Sequence, residues 1–168
     1  MTRLAVISDT HLPRGRRRLP DRCVELLRGA DAILHAGDVS TVGVLAEIRA
    51  LGPPVHAVHG NVDEPAVVAE LPTELQLELD GVHIAMLHDS GPAARRMVRM
   101  RARFPEADAV VFGHSHIPLH ETGPDGLQLF NPGSPTDRRR QPRHTMGLAD
   151  VRDGSVRFEL VVLDRATV

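Results

Sequence analysis

The chain has 168 residues, of which 42% are hydrophobic and 25% are charged, and its formal net charge is −2 at pH 7. These values predict one globular domain over residues 1–168 and give no general basis for a stable nucleic acid complex. We also expect a cytoplasmic protein without membrane contact, because the chain shows neither a secretory pattern nor an apolar run of roughly 20 residues. The absence of lysine excludes a lysine-dependent phosphate loop, and the single cysteine, Cys23, excludes an internal disulfide.

The first half of the chain alternates between predicted strands and predicted helices. Short apolar runs at residues 4–7, 31–35 and 55–58 are typical of buried strands. Between them, residues 19–29 have a helical pattern that ends at Gly29, and a second helix, with Ser40 as its predicted N-cap, runs to about Leu51. This order predicts a largely parallel sheet.

The second half of the chain changes to a different pattern. Residues 75–79 and 82–87 flank Asp80-Gly81, which predicts a hairpin, and residues 91–104 predict a helix. An apolar strand is expected at residues 108–112. Four short, mainly antiparallel strands are expected at residues 118–122, 127–130, 146–151 and 156–163.

Polar side chains follow the predicted buried strands. In open α/β sheets, ligands bind outside the carboxyl ends of the strands, so we expect these side chains to meet at one edge. The seven candidate metal ligands are Asp9, His11, Asp38, Asn61, His88, His114 and His116. Neighbouring glycines, Gly37, Gly60 and Gly113, are expected where the backbone turns sharply and approaches an ion.

The number and type of these residues predict a site for two divalent cations. Carboxylate, amide oxygen and imidazole, without sulfur, suit Mn, Fe, Zn, Ni or Co. Seven ligands exceed what one four- to six-coordinate ion normally takes from a protein, and a carboxylate can bridge two ions. The count therefore favours two metals about 3.5–4 Å apart.

Five short motifs together resemble the signature of the calcineurin-like metallophosphoesterases, and in particular their small bacterial and archaeal phosphodiesterases. These motifs are Asp9-x-His11, Gly37-Asp38, Gly60-Asn61, His88 and Gly113-His114-x-His116. The segment from Asn131 to Ser134 also resembles one in that group. The resemblance implies an αββα sandwich of two mixed β-sheets flanked by helices.

The resemblance also implies a ligand distribution and an activity. Asp9, His11 and His116 are expected to hold one metal. Asn61, His88 and His114 are expected to hold the other, with Asp38 bridging both. The implied reaction is hydrolysis of a small phosphodiester by a metal-bridging hydroxide. Manganese is the first expectation for the metal, and related proteins often form homo-oligomers.

Three positions near the motifs qualify these expectations. Many members of the group have histidine where this chain has Val62, and that histidine protonates the leaving group. We therefore expect a preference for esters with weakly basic leaving groups. Asp89 follows His88, where glycine is usual, and is expected to support a ligand, to repel phosphate or to be a solvated loop residue. Asp63 is a candidate to support a ligating imidazole from outside the metal shell.

Two arginine-rich loops are weaker candidates for substrate binding. The first follows His11 and includes Arg14 and Arg16, and the second follows Ser134 and includes Arg138. Guanidinium groups fit phosphate, but such charge runs are more often solvated loops. The six histidines outside the motifs are expected in the core or on the surface.

Two other functions compete with phosphoester hydrolysis. The same fold includes a eukaryotic membrane-trafficking subunit that uses a degraded metal site as an interaction surface, so a non-catalytic scaffold is the main alternative. All seven ligand positions are intact here, which favours catalysis. A mononuclear hydrolase acting on amides or esters would leave Asn61, His88 and His114 without a shared purpose.

Overall fold

The computed structural model describes residues 1–15 and 17–164. Within these residues the chain forms ten strands and four helices. In chain order they are β1 (Thr2–Ile7), α1 (Asp21–Arg28), β2 (Ala32–His35), α2 (Val42–Arg49), β3 (Val55–Ala57), α3 (Pro65–Glu70), β4 (Glu74–Leu79), β5 (Val82–Leu87), α4 (Arg96–Arg103), β6 (Ala109–Val111), β7 (Leu119–Thr122), β8 (Gln128–Asn131), β9 (Thr145–Arg152) and β10 (Ser155–Val162).

The strands form two mixed five-stranded sheets. The first has the order β10-β9-β1-β2-β3, with β1, β2 and β3 parallel and with β9 and β10 antiparallel to their neighbours. The second has the order β4-β5-β6-β8-β7, in which β5, β6 and β8 are parallel. The outer strands are antiparallel to their neighbours: β4 pairs with β5, and β7 pairs with β8.

Three apolar cores show that the two sheets pack between layers of helices. Cys23, Val44 and Val67, from α1, α2 and α3, pack on one face of the first sheet. A second core lies between the sheets and includes Phe130 and Phe158, whose stacked ring centroids are 4.5 Å apart. In the third, α4 covers the outer face of the second sheet. The four-layer αββα prediction is confirmed.

The structure corrects three local predictions. Thr41, not Ser40, caps α2: its hydroxyl accepts a hydrogen bond from the amide of Val44 at 3.3 Å, whereas Ser40 has a positive φ of 88°. The helix predicted at residues 91–104 begins only at Arg96, because Arg95 has a left-handed backbone with φ of 57°. Helix α3 was not predicted, although Pro65 at its first position is typical of a helix start.

The topology directs five strand ends to one rim of the sandwich. The parallel strands β1, β2 and β3 end there in the first sheet, and β5 and β6 end there in the second. The loops after these strands carry all seven candidate ligands. In the part of the chain that the structure describes, no helix has the length and apolar character needed to cross a membrane.

Candidate metal centre

Three side chains meet in a first cluster at this rim. The Nε2 atoms of His11 and His116 lie 3.1 Å apart, and Nε2 of His116 lies 3.4 Å from Oδ1 of Asp9. Atoms that bind one ion at about 2.1 Å, with angles of about 90° to 110° between them, lie roughly 3.0–3.4 Å apart. The spacing of Asp9, His11 and His116 therefore fits a shared divalent cation.

The second cluster contains the other ligand candidates. Oδ1 of Asn61 lies 3.1 Å from Nε2 of His88 and 2.9 Å from Nδ1 of His114. Oδ2 of Asp38 lies 3.3 Å from Nε2 of His88. These separations also fit ligands around one ion.

Asp38 lies between the two clusters. Its Oδ2 atom is 3.4 Å from Nε2 of His11, on the first cluster's side. The structure thus brings all seven residues to one rim, with Asp9, His11 and His116 in one possible metal-binding group and Asp9, Asp38 and His88 in another. Their ligation of metal stays a prediction.

The backbone at this rim is unusual in a way that the sequence did not reveal. Left-handed conformations, which non-glycine residues adopt rarely, occur at five of the seven candidate ligands. These residues are Asp9 (φ 55°), His11 (46°), Asp38 (58°), His114 (65°) and His116 (57°). Such conformations cost free energy and cluster at functional sites, because they direct side chains into positions that ordinary backbone conformations do not allow.

Two glycines make the close packing of these loops possible. A Cβ at Gly60 would collide with the carboxylate and the amide nitrogen of Asp38. A Cβ at Gly113 would collide with the hydroxyl of Ser8, which itself donates to Oδ2 of Asp9 at 2.8 Å. The two glycines thus allow the loops to pack closely against Asp38 and Ser8, and their approach to an ion stays a prediction.

Backbone carbonyl groups determine which ring nitrogen carries the hydrogen in His88 and in His116. Nδ1 of His88 lies 2.8 Å from the carbonyl oxygen of Ala36, and Nδ1 of His116 contacts the carbonyl oxygen of Asp137. Because a carbonyl oxygen only accepts, Nδ1 carries the hydrogen in both rings. Each Nε2 then presents a lone pair to its cluster, as metal binding requires.

The segment from Asn131 to Asp137 holds the ligand loops in place. The Asn131 amide donates to the carbonyl of Gly113 at 2.9 Å, and the Ser134 hydroxyl donates to the carbonyl of Asp9 at 2.8 Å. Thr136 donates in turn to the carbonyl of Thr10. The sequence analysis singled out residues 131–134 only through their family resemblance. It missed Thr136 and Asp137, whose roles depend on distant contacts.

Burial and contacts among the candidate ligands shift the pKa values of several of these side chains. Burial raises the pKa of Asp9 to about 7. Burial also acts to raise the pKa of Asp38, but contacts with His88, the Val62 amide and His11 together outweigh it and lower that pKa to about 2. Burial lowers the pKa of His116 to about 4, so this imidazole is neutral at pH 7. Two buried carboxyl groups, Asp9 and Asp38, close to a neutral His116 fit a bound cation, whose positive charge would stabilise the ionised carboxylates.

Asp63 supports the loops through the backbone. Its carboxylate oxygens accept hydrogen bonds from the amides of Ser40 at 2.5 Å and Gly60 at 2.6 Å. The expectation that it contacts a ligating imidazole is not met, since the Nδ1 hydrogens of His88 and His116 go to carbonyl oxygens. Asp63 instead ties the loop containing Asp38 to the loop containing Asn61.

Asp89 lies at the edge of the second cluster. One carboxylate oxygen accepts from the amide of Gly91 at 2.7 Å, and the other lies 3.9 Å from Nε2 of His114. A cavity of about 230 Å³ opens beside it, lined in part by His59, Asn61 and His88. Asp89 is exposed, and its charge faces the space next to the candidate ligands.

The three arginines proposed for substrate binding have different positions. Arg14 is exposed, and Arg16 lies outside the described residues. Arg138 donates from Nη1 to the carbonyl of Gln141 at 2.6 Å, within its own loop. Their role in substrate binding stays a prediction. The neighbouring Arg17, by contrast, forms an ion pair with Asp137 at 3.1 Å.

Comparison with known protein families agrees with the fold and the site. The calcineurin-like phosphoesterase superfamily domain matches residues 2–154, and the chain belongs to this family. A probable metallophosphoesterase from Methanothermobacter thermautotrophicus is 33% identical over 135 residues, which are 79% of this chain and 77% of that protein.

Two solved structures share the fold at lower sequence identity. Vps29 from Entamoeba histolytica in complex with zinc has a TM-score of 0.76 and 21% identity, covering 96% of this chain and 99% of Vps29. An archaeal phosphodiesterase has a TM-score of 0.72 and 20% identity, covering 95% of this chain and 99% of that protein. At these identities the likeness concerns the fold.

Proposed function

We propose that this protein is a phosphodiesterase that depends on two divalent metal ions. The observation that carries this proposal is the position of Asp38, whose Oδ2 atom lies between His11 of the first cluster and His88 of the second. One carboxylate oxygen within 3.4 Å of both clusters suits a ligand shared by two ions.

The protein's own groups would do the binding and the orientation. Asp9, His11 and His116 would hold one ion, and Asn61, His88 and His114 the other, with Asp38 shared. Bound divalent ions supply Lewis acidity for a phosphoryl oxygen and lower the pKa of water from 15.7 to about 7. His116, whose pKa burial lowers to about 4 and whose Nδ1 hydrogen lies on the Asp137 carbonyl, keeps its Nε2 lone pair available at pH 7. The sulfur-free ligand set suits Mn, Zn, Fe, Ni or Co, and the family resemblance makes Mn the first choice.

The substrate class follows from family membership and from Val62. The archaeal protein that shares the fold is a phosphodiesterase. Val62 is 47% exposed next to Asn61 and offers no proton to a leaving group. A small diester with a weakly basic leaving group needs no such proton, and we propose this class as substrate.

The experiment combines metal content with activity. We expect chelated protein to regain activity on bis(4-nitrophenyl) phosphate with Mn²⁺ and to bind two ions per chain. Asp38→Asn should reduce both. Asp153→Asn is a matched control, because Asp153, like Asp38, has a positive φ. Asp153 lies in an exposed turn, and among the described ion pairs it contacts only Arg152. Full activity of Asp38→Asn would overturn the proposal.

A non-catalytic scaffold is the second candidate. It is favoured by the fold similarity to Vps29, which in its solved structure holds zinc. The same metal titration separates the two functions. Two bound ions without turnover of any phosphoester would favour the scaffold.

A further inference from the structure

An ion pair joins the two arginine-rich loops beside the first cluster. Nη1 of Arg17 lies 3.1 Å from Oδ2 of Asp137, and the side chains are 27% and 17% exposed. Residues 17 and 137 belong to separate loops, one after β1 and one after β8. Partial burial shields this pair from solvent, so it constrains the loops more than a fully exposed pair would.

Asp137 is held at its backbone as well as at its side chain. Its amide donates to the Ser134 hydroxyl at 2.8 Å, and the same hydroxyl donates to the carbonyl of Asp9. Its carbonyl oxygen accepts from Nδ1 of His116. Asp137 therefore connects Arg17 to two candidate ligands of the same metal, Asp9 and His116.

The contact with Arg17 is a second restraint on the position of the Asp137 carbonyl. Ser134 restrains only the amide side of Asp137, and the chain turns immediately afterwards through Arg138 and Arg139, where Arg139 has φ of 48°. The Arg17 guanidinium attracts the Asp137 carboxylate, and this ion pair disfavours rotation of the Asp137 carbonyl away from His116. Groups that orient metal-ligating histidines in this way strongly affect metal affinity.

We infer that Arg17 is a positioning residue for the first metal site, acting through Asp137 to fix the orientation and tautomer of His116. The inference rests on the proposed function only in taking His116 as a metal ligand. It also gives one arginine of the first loop a structural partner inside the protein. Arg17 is thereby distinguished from Arg14 and Arg18, which are exposed.

The test compares variants at both ends of the ion pair. Arg17→Met removes the charged guanidinium and keeps an unbranched apolar stem. Asp137→Asn keeps the backbone groups and removes the carboxylate charge. Arg17→Lys is the conservative variant. Arg18→Met is the matched control, since Arg18 is exposed and lies 3.8 Å from Asp21, away from the site.

Two measurements are made on each folded variant. The first is the ¹⁵N spectrum of the His116 ring in metal-free protein, which reports the fraction with hydrogen on Nδ1 and needs neither metal nor substrate. The second is Mn²⁺ affinity by calorimetry. We expect Arg17→Met and Asp137→Asn to lower the fraction of His116 with hydrogen on Nδ1. We also expect both variants to weaken the affinity for the more tightly bound Mn²⁺ ion about 10- to 100-fold.

The remaining outcomes decide the inference. Arg17→Lys should recover part of both losses, and the Arg17→Met/Asp137→Asn double variant should be no worse than either single variant. If Arg17→Met matches Arg18→Met in both the ring spectrum and the Mn²⁺ affinity, the inference is overturned. Lack of phosphodiesterase activity in the unmodified protein would contradict the proposed function but leave the ring spectrum as a valid test.

Discussion

Oδ2 of Asp38 lies 3.3 Å from Nε2 of His88, and Nδ1 of that same imidazole donates to the carbonyl of Ala36. Ala36 precedes Asp38 by two residues, so the loop after β2 lies beside both ring nitrogens of His88 and holds the ring through the Ala36 carbonyl. The carboxylate that is shared between the clusters is therefore fixed relative to the second sheet. This relationship connects the two sheets at the site.

Metal affinity should rise with pH up to about pH 7. The pKa of Asp9 is raised to about 7 by burial in the metal-free fold, and contacts with Asp38 and Asp9 outweigh burial to raise the pKa of His88. Below these values protons compete with metal, by up to about tenfold in affinity per proton and pH unit. Mn²⁺ titrations from pH 5.5 to 8.5 should show this rise and then a plateau. A flat profile would contradict it.

Gly60→Ala should damage the site more than the fold. The new Cβ would push the Asp38 carboxylate out of position, because a Cβ at Gly60 would overlap with Oδ1 of Asp38. We expect Mn²⁺ affinity and phosphodiester turnover to fall about 10- to 100-fold. Gly43→Ala is the control: the nearest atom to its Cβ would be 3.7 Å away, and alanine there should stabilise α2 by about 0.5–1 kcal/mol. Equal effects of the two variants would refute the argument.

Ser134→Ala should lower both stability and metal affinity. The Ser134 hydroxyl donates to Asp9 and accepts from the amides of Thr136 and Asp137, and it is buried. Its loss leaves these groups unsatisfied, which costs about 1–3 kcal/mol in the free energy of unfolding. Urea denaturation measures the change. Ser155→Ala, at an exposed turn, should stay within about 0.5 kcal/mol of the unmodified protein.

Val62→His should broaden the range of leaving groups. A histidine next to Asn61 would be placed to protonate the departing oxygen, so turnover of alkyl esters should rise about tenfold or more relative to aryl diesters. Val68→His, on the exposed side of α3, is the control. The comparison uses steady-state rates on an alkyl and an aryl diester. Equal or faster turnover of alkyl phosphomonoesters by the unmodified chain would disprove the premise.

Much of the fold and the candidate site follows from local sequence patterns. Short apolar runs locate β1, β2 and β3, and parallel strands bring the residues after their ends to one rim. Asp9, Asp38 and Asn61 could therefore be placed together before the structure was known. The Asp80-Gly81 hairpin likewise depends on neighbouring residues alone.

The supports of the site could not be predicted in the same way. Ser134 and Asp9 are separated by 125 positions, and their contact depends on how the two sheets pack. The left-handed backbone at His11 and His116 has no signal in the residue type, because these side chains usually avoid it. The start of α4 was misplaced for a similar reason, since Arg95 does not look like a helix boundary.

The contacts of residues 131–137 also impose an order of assembly during synthesis. The earliest candidate ligand is Asp9, but its loop is completed by Ser134, and His116 is completed by Asp137. A nascent chain must therefore have left the ribosome through residue 137 before the first cluster can close. Fragments that end between residues 117 and 133 should carry every candidate ligand and yet capture metal poorly.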